Sequence, residues 1–286
     1  MADDDAMAAL LVLLIFLVFL YLIAKQIFYF LFEDHIIRYT LWKSRGKVSA
    51  FDRSAIVSIL TKRVPYFTEL SARGKEKFTN RVLNHYTEKE FVGKEGQVVS
   101  REVKTLISAG AAQLTFGLEY SFLKHFETYT VFPNHFQINE NYPAMYGATF
   151  PKGSIWFSWK QVNRGYQDYE DGINLAIHEF AHALYIQHRK GIIWEANWLL
   201  DYENWMTRTL KILNESTQEE RSFFRRNIVE IPTELFPVMV EEFFERPELF
   251  FENFPRIYTG LVRLLNQDPR RVRQDFKPQS AWSFNA

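Results

Sequence analysis

The chain has 286 residues, 47% of them hydrophobic, enough for one well-buried domain of about 200 residues with an appendage and too few for two large domains. Its 34 basic residues balance 34 acidic ones, so no overall field favours nucleic acid, and direct nucleic-acid binding is not expected. Cysteine is absent, which excludes disulfides and thiolate metal sites and leaves histidine and carboxylate as ligands for any metal.

The first element is an apolar run. AMAALLVLLIFLVFLYLIA, from Ala6 to Ala24, carries no charge, and as a helix it would span roughly 28 Å, close to the hydrocarbon thickness of a bilayer. A core helix seldom lacks a polar face. A cleaved signal would open on basic residues, whereas this chain opens Met1-Ala2-Asp3-Asp4-Asp5 and has no small-x-small cleavage site before Lys25. Residues 6–32 are therefore expected to form a single transmembrane anchor helix in a lipid bilayer. Lys25, Arg38, Lys43, Arg45 and Lys47 follow the span and no basic residue precedes it, so the domain beyond it is expected on the cytoplasmic side of the inner membrane. Residues 33–60 read as a juxtamembrane linker, 61–272 as the domain and 273–286 as a tail.

Within the domain, Val64 to Tyr86 mixes apolar and charged positions at helical spacing and reads as one or two helices. Ser100 to Leu123 is apolar enough for a buried helix. Tyr129 to Phe132 and Gly153 to Trp159 are β-branched and aromatic runs that read as strands, and the segment between them, rich in Asn, Tyr and Pro, reads as a loop. Helices are predicted from about Asp171 to His188, closed by Gly191, then from Glu195 to Leu213 and from Glu219 to Arg226.

The chemistry lies in GINLAIHEFAHALYIQH. His178 and His182, four apart, share one helical face and suit two corners of a tetrahedral zinc site. Glu179 points about 100° away, so it can act as the catalytic base on a water at the metal without being a ligand. With seven histidines in the chain, an HExxH string has a chance expectation of roughly 0.01, and its apolar surroundings separate it further from a surface coincidence. The bland alternative is two core histidines satisfied by hydrogen bonds.

A catalytic zinc needs a third protein ligand. His188 lies about 240° round the helix from His182 and cannot converge unless the helix breaks. Glu203 is not excluded by spacing alone. Glu234 and Glu241, seven apart in the apolar stretch TELFPVMVEEFF, share a face, and inward carboxylates there need a partner or a metal. Glu234 is therefore taken as the ligand and Glu241 as the partner of a histidine N–H, while Glu242 and Glu245 better fit a solvated face. Pro237 requires the helix to have just begun.

GINLAIHEFAHAL, the preceding IWFSW, the downstream TELFPVMVEEFFERPELF and the final LNQDP resemble the Mlc titration factor A family of gluzincin zinc metallopeptidases and, more remotely, the catalytic domain of anthrax lethal factor. The likeness runs from about Val64 to Arg270. It implies an α+β, mainly helical zincin-like domain with a small mixed sheet, one zinc ion held by His178, His182 and Glu234, Glu179 as base, and aminopeptidase-like cleavage of peptides. It also implies an edge strand that aligns the substrate backbone, here expected at Ile155, Trp156, Phe157, Ser158 and Trp159. Where the family has Asp three residues after the second histidine, this chain has Tyr185. Where the family has Tyr seven residues before the third ligand, it has Asn227, whose amide can donate to the developing oxyanion. The rival expectation is an interaction protein that sequesters a cytoplasmic transcription regulator with little or no peptidase activity.

Overall fold

The computed structural model describes residues 7, 11–21, 23–24, 39, 42–43, 46, 48–118, 122–140, 143–190, 198–224 and 230–274. They fall into two units, Met1–Lys47 and Val48–Ala286. In the first, residues 11–21 are helical with exposed apolar side chains, and residues 25–38 of the expected anchor and linker lie outside the described residues. Among the described residues no helix is long and apolar enough to cross a membrane.

The second unit starts earlier than the boundary expected at 61. Ser49 caps helix α1, Ala50–Arg63, by accepting the Asp52 N–H at 3.0 Å, and α1 buries Ile56 and Leu60 completely. The presumed linker thus ends in a core helix. Its apolar residues, among them Phe51, Ile56, Val57, Ile59 and Leu60, lie all round the helix rather than on one face, so no stripe stands out. Helices α2, Pro65–Glu69, and α3, Ala72–Glu88, follow, and strand β1, Glu90–Gly93, comes next. Ser100 caps α4, Arg101–Leu114, the buried helix expected there.

Strands β2, Thr128–Phe132, β3, Gly147–Phe150, and β4, Ser154–Ser158, complete a four-stranded sheet of order β1-β2-β4-β3. β1, β2 and β4 run parallel, and β3 is antiparallel to β4 with Thr149 opposite Ile155. The strand expected to line a substrate is therefore in the wrong place. β4 is flanked by β2 and β3, so Ile155, Trp156, Phe157 and Ser158 have no free edge, and Trp159 already begins helix α5, Trp159–Gly165. The edges are β1 and β3, and the one beside β4 is β3, inside the segment read as a loop. Its four residues open on glycine and are too few to show alternation.

Helix α6, Leu175–Arg189, lies on the inner face of this sheet, where Phe180 meets the rings of Tyr129 and Phe157 at 5.4 and 5.6 Å. Behind it α4 approaches so closely that a Cβ on Gly110 would sit 2.8 Å from that of Ala176, which explains glycine in the middle of a helix. Helices α7, Trp198–Glu215, α8, Gln218–Arg221, α9, Pro232–Glu245, α10, Pro247–Asn253, and α11, Pro255–Leu265, follow, then a 3-10 segment, Pro269–Gln274. The last three helices each open on a proline, whose missing N–H would be unpaired there anyway. Pro237 lies inside α9 rather than at its start, so the helix forgoes the bond to the carbonyl of Thr233. Gly191, the start of the helix expected from Glu195, the end of that expected at Arg226, and the tail beyond 274 lie outside the described residues.

Candidate metal centre

Asn174 starts the motif helix: its Oδ1 accepts the Ile177 N–H at 3.2 Å, and its carbonyl accepts the His178 N–H at 2.9 Å. From that start, His178 and His182 project side by side with ring centroids 5.1 Å apart. α9 runs against α6 and brings Glu234 between them, its Oε2 3.2 Å from His178 Nε2 and its Oε1 3.4 Å from His182 Nε2. The three residues offer ligand atoms all within 4.8 Å of one another. A tetrahedral zinc with arms of about 2.0–2.1 Å has ligand-to-ligand edges of about 3.4 Å, which the two histidine–carboxylate separations of 3.2 and 3.4 Å match.

The remaining nitrogen of His178 is engaged from behind. Nδ1 lies 2.9 Å from Oε2 of Glu241, a residue 1% exposed, so the N–H there donates to Glu241 and Nε2 faces Glu234. Glu241 Oε1 in turn accepts the backbone N–H of Asn174 at 2.9 Å. Burial disfavours the protonated ring of His178, but the charge of Glu241, the hydrogen bonds that the ring donates to Glu234 and Glu241 and the charge of Glu179 outweigh it and push its pKa up to about 10. Hydrogen bonds from His178 and His182 hold Glu234 well below the usual carboxylate range. A proton thus stands where a cation would. One face is open to solvent, since the side chains of His182 and Glu234 keep 22% and 24% of their exposure.

Glu179 points to the sheet. Its Oε2 accepts the Thr149 hydroxyl of β3 at 2.7 Å, and a Cβ on Gly147 of the same strand would fall on its carboxylate. Burial raises its pKa, against the lowering pull of the His178 and His182 charges and the Thr149 bond. The other candidates are elsewhere. His188 stacks on Trp198 at 4.0 Å and donates from Nδ1 to the Leu184 carbonyl, because α6 continues unbroken to Arg189. Glu203 is exposed on α7. Tyr185 lies one turn beyond His182 on the same side of α6, its ring 4.8 Å from that of Tyr202, and Asn227 lies outside the described residues. Gly147 and Thr149 had no signal in the sequence. Asn174 had one, as an Asn directly before an apolar helix is a capping signature.

Residues 40–265 match the model of a family described as glucose-regulated metallo-peptidase M90. An uncharacterized protein of Synechocystis sp., slr2042, is 25% identical over 236 residues, covering 74% of this chain and 83% of the relative. Mlc titration factor A of Pectobacterium atrosepticum is 26% identical over 195 residues, covering 60% and 69%, and that of Salmonella arizonae is 25% identical over 238 residues, covering 73% and 90%. A family match that spans most of the chain, around two helices that converge a pair of histidines and a glutamate, carries one conclusion: this chain belongs to the glucose-regulated metallo-peptidase M90 family.

Proposed function

We propose that the chain is a zinc-dependent peptidase of gluzincin type that hydrolyses peptide bonds with aminopeptidase-like action. The observation that carries this reading is the convergence of His178, His182 and Glu234, with Glu179 one residue along the same helix. His178, His182 and Glu234 would hold the ion, and Glu241 keeps the His178 ring turned so that Nε2 faces it. Zinc, when bound there, supplies Lewis acidity to the scissile carbonyl and acidity to water. Glu179 takes the proton from the attacking water on its carboxylate and delivers it to the leaving amine nitrogen; burial, which raises its pKa, helps it to hold that proton between the two steps. Thr149 steadies that carboxylate, and Gly147 leaves it room. The outer edge of β3, free among the described residues, offers backbone N–H and C=O groups to an extended substrate that adds as a further strand. Tyr185 and Asn227 are the candidate donors to the oxyanion.

The domain is further proposed to be tethered to the inner membrane through residues 6–32, with the site on the cytoplasmic side. A reporter fused at Ala286 that is active only after export would overturn that orientation.

Metal analysis of the full chain and a peptide-library cleavage screen, each on wild type and Glu179→Gln, test the enzyme reading. One equivalent of zinc in both proteins with cleavage only by wild type is expected; equal cleavage by both would sink the assigned base. The second reading is a binding role toward a transcription regulator, favoured by relatives that bear the name Mlc titration factor A. Capture of a regulator by the Glu179→Gln form without any turnover by wild type would favour it.

A further inference from the structure

Behind the metal centre Glu241 has a buried carboxylate neighbour, Glu245, that the proposed chemistry leaves unused. Glu241 and Glu245 stand one turn apart on α9, and both are bonded to Asn174, the cap of α6. The Asn174 backbone N–H donates to Glu241 Oε1, while its Nδ2 donates to Glu245 Oε1 at 3.1 Å and, more weakly, to the Gly165 carbonyl at 3.5 Å. The connection runs without a gap from Glu245 through Asn174 and Glu241 to Nδ1 of His178.

Glu245 does not lie on the solvated face that its spacing suggests. It is 8% exposed, and its Oε2 is buried with no hydrogen-bond partner. A carboxylate ion is poorly tolerated in such a place, whereas a neutral acid is accepted. The groups that face it are Tyr166 at the end of α5, Asp171 and the Ile173 N–H in the loop before α6, and Glu241 and Arg246 on α9 itself, the guanidinium being engaged by Glu242. Burial, joined by the charges of Asp171 and Glu241 and opposed by the Asn174 amide and the Ile173 N–H, pushes Glu245 up to about 8.

We propose that Glu245 is a positioning residue of the metal centre: through Asn174 it fixes Glu241, and through Glu241 the ring of His178, so that metal affinity depends on a group that is not a ligand. This rests on the reading of His178, His182 and Glu234 as a metal site. At neutral pH Glu245 is protonated and adds no charge beside Glu241. As pH rises through about 8 it ionises, and the environment of His178 changes with it.

The test measures zinc affinity of the full-length chain by competition with a chromogenic chelator, from about pH 6.5 to about pH 9, with the melting temperature of the zinc-free protein as a folding control. Glu245→Gln, which keeps an oxygen for Asn174, should bind zinc within about two-fold of wild type at pH 7 and lose the inflection near pH 8. Glu245→Ala should bind about ten-fold more weakly, the lower end of the effect expected for groups behind a ligand. Wild-type affinity and an unchanged pH profile in both variants would overturn the proposal. If Glu245→Ala does not fold, Glu245→Asp, one methylene too short to reach Asn174, replaces it, and undiminished affinity there is equally fatal. Failure of wild type to bind zinc would instead remove the metal reading itself, a result distinct from wild-type zinc binding that ignores Glu245.

Discussion

Gly147 and Glu179 occupy adjoining space: a single methyl group on the strand residue would fall on the carboxylate of the helix residue. Glycine is required there for lack of room rather than for backbone freedom. Gly147→Ala is expected to push the base out of line and lower kcat about 100-fold, the loss typical of a misplacement near 1 Å, with zinc content unchanged. Steady-state kinetics beside metal analysis check it; full activity would mean that the strand gives way.

The third ligand is tested by contrast. Glu234 lies within 3.2 and 3.4 Å of the two histidines, while Glu203 is exposed on another helix. Glu234→Ala should lower zinc affinity by more than about 100-fold, beyond the range found for residues behind a ligand, and Glu203→Ala should leave it unchanged. Competition with a chelator measures both.

Zinc uptake should also release a proton. With a pKa near 10 against an ordinary 6.5, His178 is protonated in the metal-free fold at pH 7 and must lose that proton to bind an ion. Binding enthalpies at pH 7 in buffers of different ionisation heat should differ in proportion to about one proton released. Equal enthalpies in all buffers would show the ring already neutral. For the metal-free chain the sign follows: stability from the His178 ion pairs is fully present below about pH 6.5 and is lost as pH rises through about 10.

The seating of α6 on the sheet is expected to dominate stability. Phe180 is fully buried among Tyr129, Phe157 and His85. Phe180→Ala should destabilise the domain by about 3–5 kcal/mol, through lost burial and the cavity left behind, as read from denaturant unfolding. A loss below about 1 kcal/mol would mean that the helix is held chiefly by other contacts.

The metal-centre residues were legible where chemistry has a period. HExxH spacing places two imidazoles and a carboxylate on known sides of a helix, and seven residues between Glu234 and Glu241 put both carboxylates on one side of α9. What spacing does not encode is depth and pairing. The apolar stretch around Glu234 already favours it over Glu203, but nothing in the spacing shows that Glu245 is buried rather than solvated. Strand order is likewise invisible to a local pattern: IWFSW reads as a strand in either case, but only pairing with β2 and β3 shows it to be interior. β3 and α1 were missed for opposite reasons, one too short to alternate and the other a long helix with few fully buried residues.

His182 and Glu234 stand 52 positions apart in the chain, and the protein has no cysteine with which to fasten such distant segments. An ion shared between them would serve as that fastening, closing a long loop whose ends otherwise meet only through packing and hydrogen bonds. Starvation for zinc would then do more than remove the proposed catalysis. It would leave α9 easier to peel from α6, and the protein's own lifetime among cellular proteases would follow its metal supply.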